Sequence, residues 1–121
     1  MASSMIHDTS LKVQEFGLDW NGYRMPDGTI IAWKMLSGTA DITKQSESYG
    51  GYHSGSITAS IPSGLFSDAS SMIVIGNLNS FEGTRLSGAR ADSTTTIGFI
   101  LTKAISQTAY KYKLGLLVIG K

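Results

Sequence analysis

Apolar and polar residues alternate strictly in several stretches of this chain, and a repeat of two buries one side of a pleated strand and nothing else. From Ser56 to Ile61, Ile57, Ala59 and Ile61 face one way and Ser56, Thr58 and Ser60 the other. From Thr95 to Leu101, Ile97, Phe99 and Leu101 oppose Thr96, Gly98 and Ile100. The longest stretch, Tyr110 to Ile119, puts Tyr110, Tyr112, Leu114, Leu116 and Val118 on one face. Its other face begins with Lys111 and Lys113 and turns apolar at Leu117 and Ile119, so only its C-terminal half meets another layer or another subunit.

The turns fit the same architecture. In Trp20 to Lys34, Pro26 pre-sets φ and Gly28 can take φ > 0, so Met25 to Gly28 reads as a type I turn between a short run, Gly22 to Arg24, and a β-rich run, Thr29 to Lys34. Trp33 shares a face with Thr29 and Ile31, and both tryptophans, Trp20 and Trp33, are assigned to the core or to a subunit contact. Met72 to Leu78 is apolar on both sides, with Met72, Val74 and Leu78 against Ile73 and Ile75, and both faces require cover. Arg85 to Ala91 is a small-residue strand with Gly88 in its middle. Leu11 to Phe16 is too short to separate strand from helical turn and is read as an extended connector. Leu36 to His53 is rich in Ser, Gly, Thr and Asp and reads as a long polar connection. These signals predict an all-β, antiparallel sandwich or small barrel of about six or seven strands. Residues 1–15 are expected to be a leader or connector and residues 16–121 a single β domain.

Composition narrows the function classes. A chain of 121 residues supports one modest core, and strands apolar on both sides leave surface that a symmetric oligomer would cover. Net charge is +1 with 16% charged residues, and the Lys and Arg residues are scattered, which argues against nucleic acid as a partner. Cysteine is absent, which removes disulfides, thiolate metal sites and a cysteine nucleophile. No stretch approaches the ~20 apolar residues of a membrane helix. Asp19, Asp27, Asp41, Glu47, Asp68, Glu82 and Asp92 all fall in expected turns or loops, with no local pairing of a glycosidase kind, and are assigned to capping and solvation. His7 and His53 are too few and too far apart for a metal motif. No catalytic residue, metal or cofactor is expected.

The aromatic-Asn-Gly-Tyr lead at Trp20, the Pro-Asp-Gly turn and the Thr-Ile-Ile-Ala-Trp strand together resemble the opening hairpin of C-terminal domains of bacteriophage tail-fibre proteins. Gly55 to Met72 is similar to that family's element of strand, Ile-Pro, Phe-Ser and next strand. Tyr112 to Lys121 is similar to its closing strand. The chain departs from the pattern at Trp33-Lys34, where Trp-Gly is usual, and at Leu116-Leu117, where an aromatic is usual. The resemblance implies a homotrimer at the end of an upstream fibre shaft, carried on the virion and extracellular after host lysis.

What remains for recognition is the aromatic and amide content of the loops. A sugar ring offers an apolar C–H face to Tyr or Trp, and hydroxyls to amides, carboxylates and guanidinium groups. Tyr49, Tyr52 and His53 lie in one glycine-rich connection, and Asn79, Glu82 and Arg85 border another. Against this stands the plainer reading that the tyrosines pack under their own loop. With alternating strand directions, 35–54, 80–84 and 102–109 share one end, and 62–70 and 92–94 the other. The leading expectation is a non-catalytic receptor-binding tip that holds a host surface glycan. The alternatives are a purely structural trimerising cap and a polysaccharide depolymerase.

Overall fold

The Met25 to Gly28 turn forms as its residues dictate. The Met25 carbonyl accepts the Gly28 N–H at 3.0 Å, Gly28 sits at φ +92°, and the Asp27 carboxylate accepts the Thr29 N–H at 2.9 Å. A type I turn followed by a left-handed residue is a favoured three-residue hairpin loop. It sets β2 (Trp20–Arg24) against β3 (Ile30–Ile42), with Arg24 opposite Ile30 and Asn21 opposite Trp33.

The computed structural model of the chain describes residues 11–79 and 83–121. To β2 and β3 these residues add β1 (Gln14–Gly17), β4 (Lys44–Ser46), β5 (Gly51–His53), β6 (Ile57–Ser60), β7 (Ile73–Leu78), β8 (Arg85–Ser93), β9 (Thr96–Lys103) and β10 (Gln107–Gly120). One antiparallel sheet, sheet A, has the order β1-β2-β3-β10-β7. In sheet B, β9 is central: β8 runs along one edge, while β5 and β6 share the other. Ser54 bridges the gap between β5 and β6, its N–H donating to the Leu101 carbonyl at 2.9 Å and its hydroxyl accepting the Leu101 N–H at 3.0 Å.

The all-β, antiparallel two-sheet architecture agrees with the alternation, but the expected six or seven strands become ten. β1 overlaps the end of the stretch Leu11 to Phe16 read as a connector. The polar run after Leu36 is not a long connection: β3 continues to Ile42, and β4 and β5 follow almost at once. The reason lies far away in sequence. β10 spans 14 residues, and among the described strands only β3 forms a ladder with its first half, so Ser37 to Ile42 pairs with Gln107 to Lys113. Gly38 is required there because the Tyr112 ring lies over it; a Cβ at Gly38 would stand 2.4 Å from the phenol oxygen. Burial there pushes the Tyr112 phenol pKa above its ordinary value. Asp41, expected in a loop, lies in β3 and accepts the Ala109 N–H at 2.8 Å, closing a bulge where Ala109 holds φ +52°.

The core lies between the sheets. Ile97, Phe99 and Leu101 of β9 face Tyr110, Tyr112, Leu114, Leu116 and Val118 of β10, with the Phe99 and Tyr112 rings edge to face at 6.0 Å. Trp20 joins them at 1% exposure, and its indole N–H donates to the Ser60 carbonyl at 2.8 Å, tying sheet A to sheet B. Where β7 meets β8, a Leu86 methyl occupies the space that a side chain on Gly76 would need. Leu65 and Phe66 close one end, where the Lys121 carbonyl accepts the Ser67 and Asp68 N–H groups.

No neighbour lies within 4 Å of a Cβ built on Gly28, so a substitution there meets only backbone strain. Gly28→Ala is expected to lower unfolding stability by about 1–2 kcal/mol. Chemical denaturation checks it, and an unchanged midpoint would mean that the turn does not need its left-handed residue.

Candidate functional site

The segment from Ser46 to Gly55 builds the aromatic corner of sheet B. Glu47–Tyr49 makes one 3-10 turn, stopped by Gly50 at φ +70°, whose N–H donates to the Glu47 carbonyl at 3.1 Å. The reversal lays Tyr49 over His53, with ring centroids 4.7 Å apart. His53 is held in turn: its Nδ1 accepts the Gly55 N–H at 3.1 Å, which places the proton of the neutral ring on Nε2. In β5 the side chains alternate, so His53 points away from the core while Tyr52 packs against it.

Strand register extends this corner into a row. Lys44 lies opposite His53, His53 opposite Thr102, and Thr102 opposite Arg85. Within this row Thr102 is only 8% exposed. A depression of about 260 Å³ lies between Tyr49 and Gly50 on one side and Gly83 and Arg85 on the other, with Thr102 and Lys103 also lining it. Lys103 is engaged elsewhere as well, with its ammonium 5.3 Å from the centre of the Tyr110 ring and bonded to the Gln107 amide oxygen.

Of the residues singled out from sequence, the structure brings Tyr49, His53 and Arg85 together. Tyr52 is half-buried and contributes to the core instead. Asn79 lines a different shallow depression with Thr39, Lys111 and Lys113, and its N–H donates to the Lys113 carbonyl at 2.9 Å. Glu82, His7 and the leader 1–10 lie outside the described residues. Lys44, Thr102 and Lys103 join the site only through strand register, which local patterning does not reveal. Of the segments grouped at one end, Tyr49 and Gly50, Gly83, and Thr102 to Ala104 line one depression, but most of 35–54 is strand and not loop.

Asp27, Asp41, Asp68 and Asp92 hold local structure. Asp27 and Asp68 both have pKa values lowered from the ordinary carboxylate value, Asp27 by the Thr29 N–H and Asp68 by the Ser70 hydroxyl and N–H. Their contribution to stability is present above the unfolded-state pKa and fades as the pH falls through the lowered folded values. Asp92 is in β8, not in a loop, and pairs with Arg90 at 3.0 Å. Among the described residues, no group of three or more His, Asp or Glu could hold a metal ion, and no helix is long and apolar enough to cross a membrane.

The opposite face of the sandwich is unlike this one. On the outside of sheet A, registers align Tyr23, Ile31, Ile119 and Ile73 in one row and Asn21, Trp33, Leu117 and Ile75 in the next. Met35, Gly115 and Asn77 make a third row. Tyr23 and Trp33 meet edge to face at 5.4 Å, while Met35, Ile73 and Ile75 stand 56%, 59% and 50% exposed. The expectation that β7 needs cover on both faces is thus met on one side only within a single chain.

No family model matches this chain, and neither does any curated protein or solved structure.

The two tyrosines of the corner are expected to behave differently on truncation. Tyr52→Ala should lower stability by roughly 1–3 kcal/mol through lost burial, whereas Tyr49→Ala, at an exposed turn, should stay within about 0.5 kcal/mol of the parent. Thermal and denaturant melts of the two variants check this.

Proposed function

We propose that this chain is the receptor-binding tip domain of a bacteriophage tail fibre, which holds a host-surface glycan without chemistry and assembles with copies of itself. The observation that carries the reading is the pairing of two unlike faces on one sandwich: a largely apolar face on sheet A and a depression on sheet B lined by Tyr49 and Arg85. Tyr49, 36% exposed and braced by His53, offers a ring on which a sugar C–H face can stack. Thr102 and Arg85 beside it offer the hydroxyl and guanidinium that sugar hydroxyls pair with.

A second reading, a purely structural trimerising cap, is favoured by the sheet A face itself. Four strands spaced ~4.8 Å apart and three rows ~6.8 Å apart give that face a footprint of roughly 400 Å². This is at the upper end of what a monomer exposes and about half of what a standard interface takes from each partner. The occupant proposed is another copy of this chain, because a mostly apolar patch, with Glu15 at one edge and Lys113 at another, can meet the same patch on a second copy. A trimer closed about the fibre axis, with the shaft upstream, covers it and multiplies weak glycan contacts into avidity. The location implied is the virion.

Light scattering of the purified chain at micromolar concentration is expected to give about three times the 12.9 kDa chain mass, and Ile75→Glu should reduce it to that of one chain. A monomer in the parent protein would rule out this mode of assembly. On host cells, Tyr49→Ala should abolish attachment while leaving the mass unchanged. Normal attachment by that variant would favour the structural cap.

A further inference from the structure

We infer that the exposed pair Arg90 and Asp92, on the outside of sheet B, is a second subsite for the glycan held at Tyr49, binding neighbouring hydroxyls of a neutral sugar further along its chain. This rests on the glycan-binding reading above. The pair lies flat on the sheet. Arg90 stands opposite Gly98 in register, and a Cβ built on Gly98 would fall 2.5 Å from Asp92 Oδ2 and 3.1 Å from Arg90 Nη2. The guanidinium is fixed at two points, its Nε 3.0 Å from Asp92 Oδ1 and its Nη1 donating to the Gly88 carbonyl at 3.0 Å. A guanidinium carries five N–H donors, so these bonds set its plane without exhausting it. The two side chains remain 48% and 36% exposed.

Stability alone does not account for the arrangement. One extra residue lies in β8 between Ser87 and Arg90 and another between Ala91 and Ser93, with Gly88 at φ +64° in the first bulge. Each bulge interrupts the ladder, and a glycine inside a central strand weakens it. An ion pair this open to solvent adds little stability of its own. What the bulges and Gly98 achieve is aim, since they set Arg90 and Asp92 side by side on one face, as bulges do beside binding sites. The chemistry of the pair narrows its partner. The two charges offset each other, so an ion of either sign meets one like charge, whereas a neutral sugar donates one hydroxyl to the carboxylate and accepts from the guanidinium at the next. Thr58, exposed and across Gly98 from Arg90, adds another hydroxyl. The subsite is in line with the first. Gly98 and Thr102 are four residues apart on β9, about 13 Å, and half-buried Ile100, opposite Ser87, lies on the same face between them. A single ring does not span that distance, and a chain of several sugars laid along β9 does.

The test is an array of neutral gluco-, galacto- and manno-oligosaccharides, from single sugars to hexasaccharides, followed by calorimetric titration of the full chain with the hexasaccharide that binds and with its own disaccharide. The hexasaccharide is expected to bind at least about tenfold more tightly, the size expected of hydrogen bonds to a charged group. Gly98→Ala, whose methyl lifts the pair from the sheet without removing a charge, should erase that gain and leave the disaccharide at parent affinity. Asp92→Asn, at an exposed position, should do the same with melting nearly unchanged, and it carries the test if Gly98→Ala does not fold. Arg90→Lys, which keeps the charge but not the planar fork, should keep only part of the gain. Tyr49→Ala should weaken both lengths alike. Equal affinity for the two lengths, or a length gain that survives both Gly98→Ala and Asp92→Asn, would overturn the second subsite while leaving the glycan reading standing. Binding to nothing on the array would overturn both.

Discussion

Everything in this structure depends on the pairing of β3 with β10, from Ile30 opposite Gly120 to Ile42 opposite Gln107. Because side chains alternate along both strands, one decision about register fixes two surfaces at once. The inward set, with Leu114 and Val118 fully buried and Leu116 nearly so, supplies the centre of the core, each such side chain contributing roughly 1.5–3 kcal/mol as an upper bound. The outward set is apolar where β2 and β7 flank the ladder and polar where it runs on alone, at Ser37, Thr39, Lys111 and Lys113. The change of character along the outer face of β10, visible in its residues, follows the point where β7 stops at Leu78 opposite Leu114.

How much was legible in the sequence divides along range of interaction. The inward faces of β6, β9 and β10 and the Met25 to Gly28 turn depend on residues within a few positions of one another, and they read correctly. The distal half of β3 did not, because Ser37 to Asp41 has the composition of a loop. It is a strand because Tyr110 and Tyr112, about seventy residues on, require small inward partners such as Gly38 and Ala40 opposite them. Tyr49 and Tyr52 illustrate the same limit at the site. They are three residues apart and chemically identical, yet pairing with Gln45 and Lys103 turns Tyr52 inward while the Gly50 reversal leaves Tyr49 outside.

The proposed site gains from being built mostly on strands. Lys44, His53, Thr102 and Arg85 are set by hydrogen-bonded register and not by loop conformation, so their spacing is as rigid as the sheet. Only Tyr49 rides on a turn, and His53 braces it from below. The two faces are also independent. Covering the outside of sheet A with other copies leaves the outside of sheet B turned away from them, so every chain in such an assembly keeps its depression open. In this arrangement recognition does not wait on a rearrangement of the core, which lies between the two faces and touches neither ligand.

The positions of the two tryptophans give the molecule a built-in pair of optical reporters. Trp20 sits in a dry environment with its indole N–H bound to a backbone carbonyl of the other sheet, so its emission lies to the blue and moves only when the sheets separate. Trp33 stands on the outside of sheet A, beside Tyr23 and at the edge of the cleft formed with Met35, Ile75 and Leu117. Its emission is sensitive to whatever comes to rest on that face, and a soluble quencher reaches it before it reaches Trp20. Replacing Trp20 by Phe would isolate the surface signal and replacing Trp33 by Phe the interior one, so that docking and unfolding in the same sample can be followed as separate colours of one spectrum.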